Sequence, residues 1–145
     1  MTTCEIRQQS DACSAVCGQL VRRPEGVPRP RDEQTRHPQR GQVLDTESYV
    51  DEHGLWDQAV EIAGQSMVTD LSSTFADDTD CIRIVGYDMS KEAARQAYEE
   101  AEVSADEVDV VELHDCFSAN ELITYEALGL ADEGEGHKLV ASEAT

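Results

Sequence analysis

Val108-Asp-Val-Val-Glu-Leu-His-Asp-Cys-Phe-Ser-Ala-Asn-Glu121 carries the signals of a strand, a turn and a helix start in one unbroken run. Apolar Val108, Val110, Val111 and Leu113 predict a short, mostly buried strand. Ser118 followed three positions later by Glu121 has the spacing of a capping box, so a helix is predicted to begin there. Its body would run through Leu122, Ile123, Tyr125, Ala127 and Leu128, with Gly129 placed to stop it. Between strand end and helix start stand His114, Asp115, Cys116 and Phe117. A junction of this kind exposes side chains at a sheet edge, beneath the positive end of a helix dipole.

If strand geometry persists through the turn, residues two apart point the same way. His114 and Cys116 would then face one pocket, with Asp115 turned aside. A helix N-terminus or a nearby imidazolium draws a thiol below its ordinary pKa of ~8.5, so such a cysteine can act as a nucleophile or proton carrier. An imidazole can hydrogen-bond a developing oxyanion or shuttle a proton. The same pair also fits a buried structural thiol beside a histidine that ends a strand. Spacing alone does not choose between these readings.

Charge bounds the partners. The 145 residues carry 31 Asp+Glu against 11 Lys+Arg, a net charge of −20 with a pI near 4.2. Residues 1–43 hold seven arginines and five acids, a balance of +2, which leaves −22 for residues 44–145. There the cations are Arg83, Lys91, Arg95 and Lys138. A surface so acidic repels nucleic acid and anionic membrane, and its self-repulsion is easier to bear where salt screens it. Salt adaptation is therefore the expectation. No run of about 18 apolar residues is present to span a membrane. The N-terminus lacks an apolar stretch behind basic residues, so a cytoplasmic protein with reduced thiols is expected.

Along the chain, residues 1–43 mix four prolines with arginine and glutamine and are predicted to be disordered. Cys4, Cys13, Cys17 and His37 match no zinc-ligand spacing, so no metal is expected. The change to Asp/Glu-rich sequence near residue 44 looks like a join of unrelated sequence, as a reading-frame slip would produce. From there Thr46 to His53 predicts a helix stopped by Gly54. Gln58 to Val68 predicts a strand with Val60 and Ile62 alternating, and Thr69 to Asp80 a loop. Ile82-Arg-Ile-Val85 is a further candidate strand. Ser90 is placed to cap a helix from Lys91 to about Glu102, with Ala94, Ala97, Tyr98 and Ala101 as its apolar stripe. Ser104-Ala-Asp-Glu107 is a second capping box, and the tail from Ala131 shows no closing element. The pattern is α/β, with too few strands for a sheet covered on both faces.

From about Tyr49 to Val140 the chain resembles the thiolase superfamily, and within it the sterol carrier protein X type thiolases. Two segments carry the resemblance: Gly86-Tyr-Asp-Met-Ser-Lys-Glu-Ala-Ala-Arg95, and Glu112-Leu-His-Asp-Cys-Phe-Ser-Ala-Asn-Glu-Leu-Ile-Thr-Tyr-Glu-Ala-Leu-Gly-Leu130. Most thiolases have Asn-Glu-Ala-Phe at this turn, whereas the sterol carrier group has His-Asp-Cys-Phe, as at 114–117. The resemblance implies an incomplete thiolase-like fold. Residues 44–85 would be the end of its N-terminal domain and 86–145 the start of its C-terminal domain, with 1–43 unassigned.

It also implies Claisen chemistry on acyl-CoA, a coenzyme A thioester serving as substrate with no further cofactor. His114 would help form an oxyanion hole, and Cys116 would be the acid/base. The family's nucleophilic cysteine loop and its Gly-His-Pro loop have no counterpart here. The expectation is therefore a middle slice of an acyl-CoA thiolase acting on 3-ketoacyl-CoA, inactive alone, with a homodimer for the intact relative. The rival reading is a non-catalytic acyl-CoA- or lipid-binding module that partners an intact thiolase.

Overall fold

A computed structural model describes residues 45–114 and 117–142, together with the backbone of two strands, 4–9 and 15–22. Four strands form one sheet. β1 (Cys4–Gln9) runs antiparallel to β2 (Ala15–Arg22), which runs antiparallel to β3 (Glu61–Thr69). β4 (Val110–Glu112) lies parallel to β1, giving the order β3-β2-β1-β4. The two strands at 4–9 and 15–22 correct the expectation of disorder for that part of residues 1–43. Their pairing partners lie far along the chain, and local composition does not report non-local pairing.

The α1 helix (Glu47–His53) forms where expected, between Thr46 and Gly54. Tyr49 N–H donates to Thr46 Oγ1 at 3.3 Å, and Gly54 ends the helix at φ 61°. β3 follows, but Val60 and Ile62 are exposed rather than set on a buried face. A bulge is responsible: Leu20 pairs with Gly64 while Val21 pairs with Ile62, so Ala63 is the extra residue. Alternation restarts beyond it, and Gly64, Ser66 and Val68 become the buried set.

Beyond β3, residues Ser72–Phe75 make a short 3-10 turn in the segment expected to be loop. The candidate strand at Ile82 is instead α2 (Cys81–Ile84), a single helical turn. Asp80 Oδ1 accepts the Arg83 N–H at 2.9 Å and so captures the apolar run as a helix start. An apolar run this short cannot be assigned by hydrophobicity alone.

The main helix, α3 (Tyr87–Ala101), lies against β3 and buries Met89, Ala93, Ala94, Ala97 and Ala101. It starts earlier than the Ser90 cap predicted. Gly86, at φ 99°, is the N-cap, and Ser90 N–H already donates to Gly86 O at 2.9 Å inside the helix. The alanine stripe lets helix and sheet approach closely. A Cβ on Gly64 would stand 2.5 Å from Ala97 O and 3.2 Å from Ala101 Cβ. Ser66 Oγ donates to Gln96 Oε1 at 2.7 Å across the same interface. On the solvent side Arg95 bridges Glu92 and Glu99, which holds the Glu92 carboxyl at about 2.

Val68, Met89, Ala93 and Leu71 pack at one end of this layer. Ala63, Ala101, Val103, Val108 and Val111 pack at the other. The second capping box forms as expected over a 3-10 turn at Ala105–Glu107, where Ser104 N–H donates to Glu107 Oε2 at 2.9 Å. β4 is an edge strand, so it is half-exposed rather than mostly buried, with Val110 at 37%. The α4 helix (Ser118–Ala127) then leads to Gly129 at φ 74°, the expected stop. The tail is not featureless, since α5 (Gly136–Ala141) folds against α4. Gly136 makes that contact possible, because a Cβ there would meet Leu122 O at 2.7 Å.

Candidate active site

The strand and the helix predicted on either side of residues 114–117 are both present. His114 lies two residues beyond the end of β4 and is exposed, as is Phe117, at 75%. Asp115 and Cys116 lie outside the described residues, so the expectation that His114 and Cys116 share a face is not addressed by the geometry. The helix starts at Ser118 as predicted, but the Ser118–Glu121 capping box does not form. Ser118 is already the first helical residue and Phe117 occupies the cap position, without a side-chain bond. Glu121 instead accepts the Tyr125 O–H one turn along the helix.

A residue with no assigned role in the sequence pattern, Asn120, bridges the two sides of the junction. Asn120 Nδ2 donates to the His114 carbonyl at 3.0 Å, reaching from the first turn of α4 to the strand side of the turn. Its N–H donates to Phe117 O at 2.8 Å, and its carbonyl accepts Thr124 Oγ1 at 2.8 Å. A signal existed, because asparagine is a poor helix former and its presence inside a first turn asks for a side-chain bond.

Two contacts fix α4 from behind. Tyr98 O–H donates to Leu128 O at 2.8 Å, joining α3 to the end of α4. Gly136 N–H donates to Glu126 Oε1 at 2.9 Å. Backbone N–H groups of Gly134 and Gly136 hold the Glu126 carboxyl below its usual range, and nearby His137 acts in the same direction.

Among the described residues no cluster of three His, Cys, Asp or Glu side chains could hold a metal ion. The side chains of Cys4, Cys13, Cys17 and His37 lie outside them. Among the described residues, too, no helix is long and apolar enough to cross a membrane.

Residues 71–145, just over half of the chain, match the family described as Thiolase C-terminal domain-like. The chain belongs to the thiolase family. Sterol carrier protein 2 of Rattus norvegicus is 57% identical over 98 residues, covering 68% of this chain and 18% of the relative. Non-specific lipid-transfer protein-like 2 of Caenorhabditis elegans is 44% identical over 99 residues, covering 68% and 24%. A benzoylsuccinyl-CoA thiolase subunit of Thauera aromatica is 47% identical over 57 residues, covering 39% and 15%. The chain thus spans less than a quarter of the length of each of these relatives. Its helix-on-sheet layer is an incomplete α/β thiolase-like fold.

Proposed function

We propose that this chain carries one part of an acyl-CoA thiolase site, the His-Asp-Cys-Phe turn. The observation that carries the reading is the placement of His114 and Ser118 on either side of a strand-to-helix junction, within the region of family resemblance. His114 would hydrogen-bond the thioester oxygen as negative charge develops there. Cys116 would take the proton from the α-carbon of the acyl-CoA that accepts the acyl group in condensation, or return it to the enolate carbon in cleavage of a 3-ketoacyl-CoA. The resulting enolate carbon would bond to an acyl group held as a thioester, releasing that thioester's thiolate. No Gly-His-Pro sequence and no family-type nucleophile loop occur in this chain, so turnover by the chain alone is not expected. An acyl-CoA substrate, a homodimer for the intact relative and a cytoplasmic setting belong to the same proposal. So does the division at residue 86 between the end of one thiolase domain and the start of the next.

A second reading has its own support in the names of the relatives, which speak of sterol carriage and lipid transfer. On that reading the chain binds acyl-CoA or lipid without chemistry and partners an intact thiolase. Timed alkylation at neutral pH with mass mapping separates the two. A catalytic turn makes Cys116 label faster than the exposed Cys81. Labelling of Cys116 no faster than Cys81 would defeat the acid/base role. Acetoacetyl-CoA cleavage by the chain alone, lost on His114→Ala or Cys116→Ala, would defeat the claim that a nucleophile is missing.

A further inference from the structure

We propose that Asn120 is a positioning residue, whose side-chain amide fixes the His114 main chain and thereby sets where the imidazole stands. The inference rests on the proposed role of His114 toward an acyl-thioester carbonyl. His114 is exposed, and the contact that holds it among the described residues is to its carbonyl, from Asn120 Nδ2 at 3.0 Å. The partner is an acceptor, so chemistry requires the amide nitrogen to be the atom facing it. The bond reaches back six residues and joins the end of the β4 segment to the start of α4.

Two features make this bond more than local helix capping. The cap residue Phe117 offers no side-chain acceptor, so among the described residues the helix start is not tied to the preceding chain by an ordinary cap. The main-chain groups of Asn120 are already engaged, its N–H with Phe117 O and its carbonyl with Thr124 Oγ1. The side chain points its donor out of the helix toward the strand, whereas a capping side chain accepts from helix N–H groups. Its effect is to hold one main-chain atom of His114 at a set distance from the helix. The histidine Cα and Cβ are then carried at a defined height above the start of α4.

The test uses the full chain with labelled histidine, followed by NMR. Asn120→Leu keeps the approximate shape, removes the donor and is a better helix former, so it cannot loosen His114 by melting α4. Asn120→Gln keeps an amide donor. The expected result in Asn120→Leu is a His114 imidazole resonance displaced toward that of an unstructured peptide, with the amides of Tyr125 and Leu128 as protected as before. Asn120→Gln restores at least part of the displacement. If the wild-type His114 signal responds to acetoacetyl-CoA, Asn120→Leu weakens that binding roughly fivefold, the effect of one modest hydrogen bond.

An unmoved His114 resonance in Asn120→Leu would overturn the positioning role. So would equal displacement in Asn120→Leu and Asn120→Gln, which would trace the effect to packing. A wild-type His114 signal that ignores acetoacetyl-CoA would instead count against the acyl-CoA reading. The ligand-free comparison would still decide the role of Asn120.

Discussion

Gly64→Ala adds one methyl group at the tightest point of the helix-on-sheet layer. Its Cβ would stand 2.5 Å from Ala97 O and 3.2 Å from both Ala101 Cβ and Ala101 N. Ordinary contact begins at 3.4 Å, so relieving the Ala97 clash alone requires α3 to retreat by about 0.9 Å (3.4 − 2.5). The obstacle is backbone of α3, which cannot rotate aside as a side-chain tip would. Retreat also opens contacts that α3 makes elsewhere along β3, including the 2.7 Å bond from Ser66 Oγ to Gln96 Oε1. Overpacking of this kind costs about 1–3 kcal/mol.

One effect opposes it. Replacing glycine in a strand by alanine recovers roughly 0.5–1 kcal/mol of backbone entropy. Taking the middle of each range, the expected net loss is about 1 kcal/mol, or roughly 3–5 °C in Tm for a chain of this size. Thermal unfolding followed by circular dichroism at fixed salt reads it directly. An unchanged or raised Tm would refute the reasoning, since it would mean that Gly64 is not pressed against Ala97.

Acid should release α5. Glu126 titrates lower folded than unfolded, so its contribution is present above the unfolded carboxyl value near ~4.3 and is lost as pH falls through the folded one. The Gly136 amide signal should report this on acid titration, and Glu126→Gln should lose the dependence; the same acid response in Glu126→Gln would contradict it. With a net charge of −20, the fold should gain structure in molar salt, where the Debye length falls to ~3 Å; circular dichroism that is indifferent to salt would count against that. Removing residues 1–43 takes away β1 and β2, the partners of β4 and β3, so the sheet signal should collapse, and an unchanged spectrum would refute the strand order.

What could be read from the sequence was local. Thr46, Gly54, the Ser104–Glu107 box and Gly129 act within a few residues of themselves, and each behaves as its chemistry dictates. The alanine stripe of α3 was also legible, since helical spacing alone reveals a face. What escaped depended on distant partners or on competition between neighbours. The bulge at Ala63 is set by β2, and the exposure of β4 by its place at the edge of the sheet. Ser90 and Ser118 were plausible caps, but Gly86 and Phe117 start their helices first and leave both serines inside. At the candidate site, the place of His114 between strand and helix was legible, whereas the Asn120 bond to its carbonyl was not.

The junction at His114 draws little support from the sheet. β4 is three residues long, pairs on one side with β1, and leaves Val110 37% exposed, so strand pairing alone gives His114 a weak anchor. The firmer path runs through the helices. α3 is pressed onto β3 at Gly64, Tyr98 carries that position to Leu128 at the end of α4, and Glu126 holds α5 behind it. Asn120 then passes the placement of α4 forward to the His114 carbonyl. A perturbation at Gly64, far from the turn in sequence, should therefore reach His114 by moving α3 and α4 together. Loss of Asn120 should cut the path at its last step and leave both helices in place.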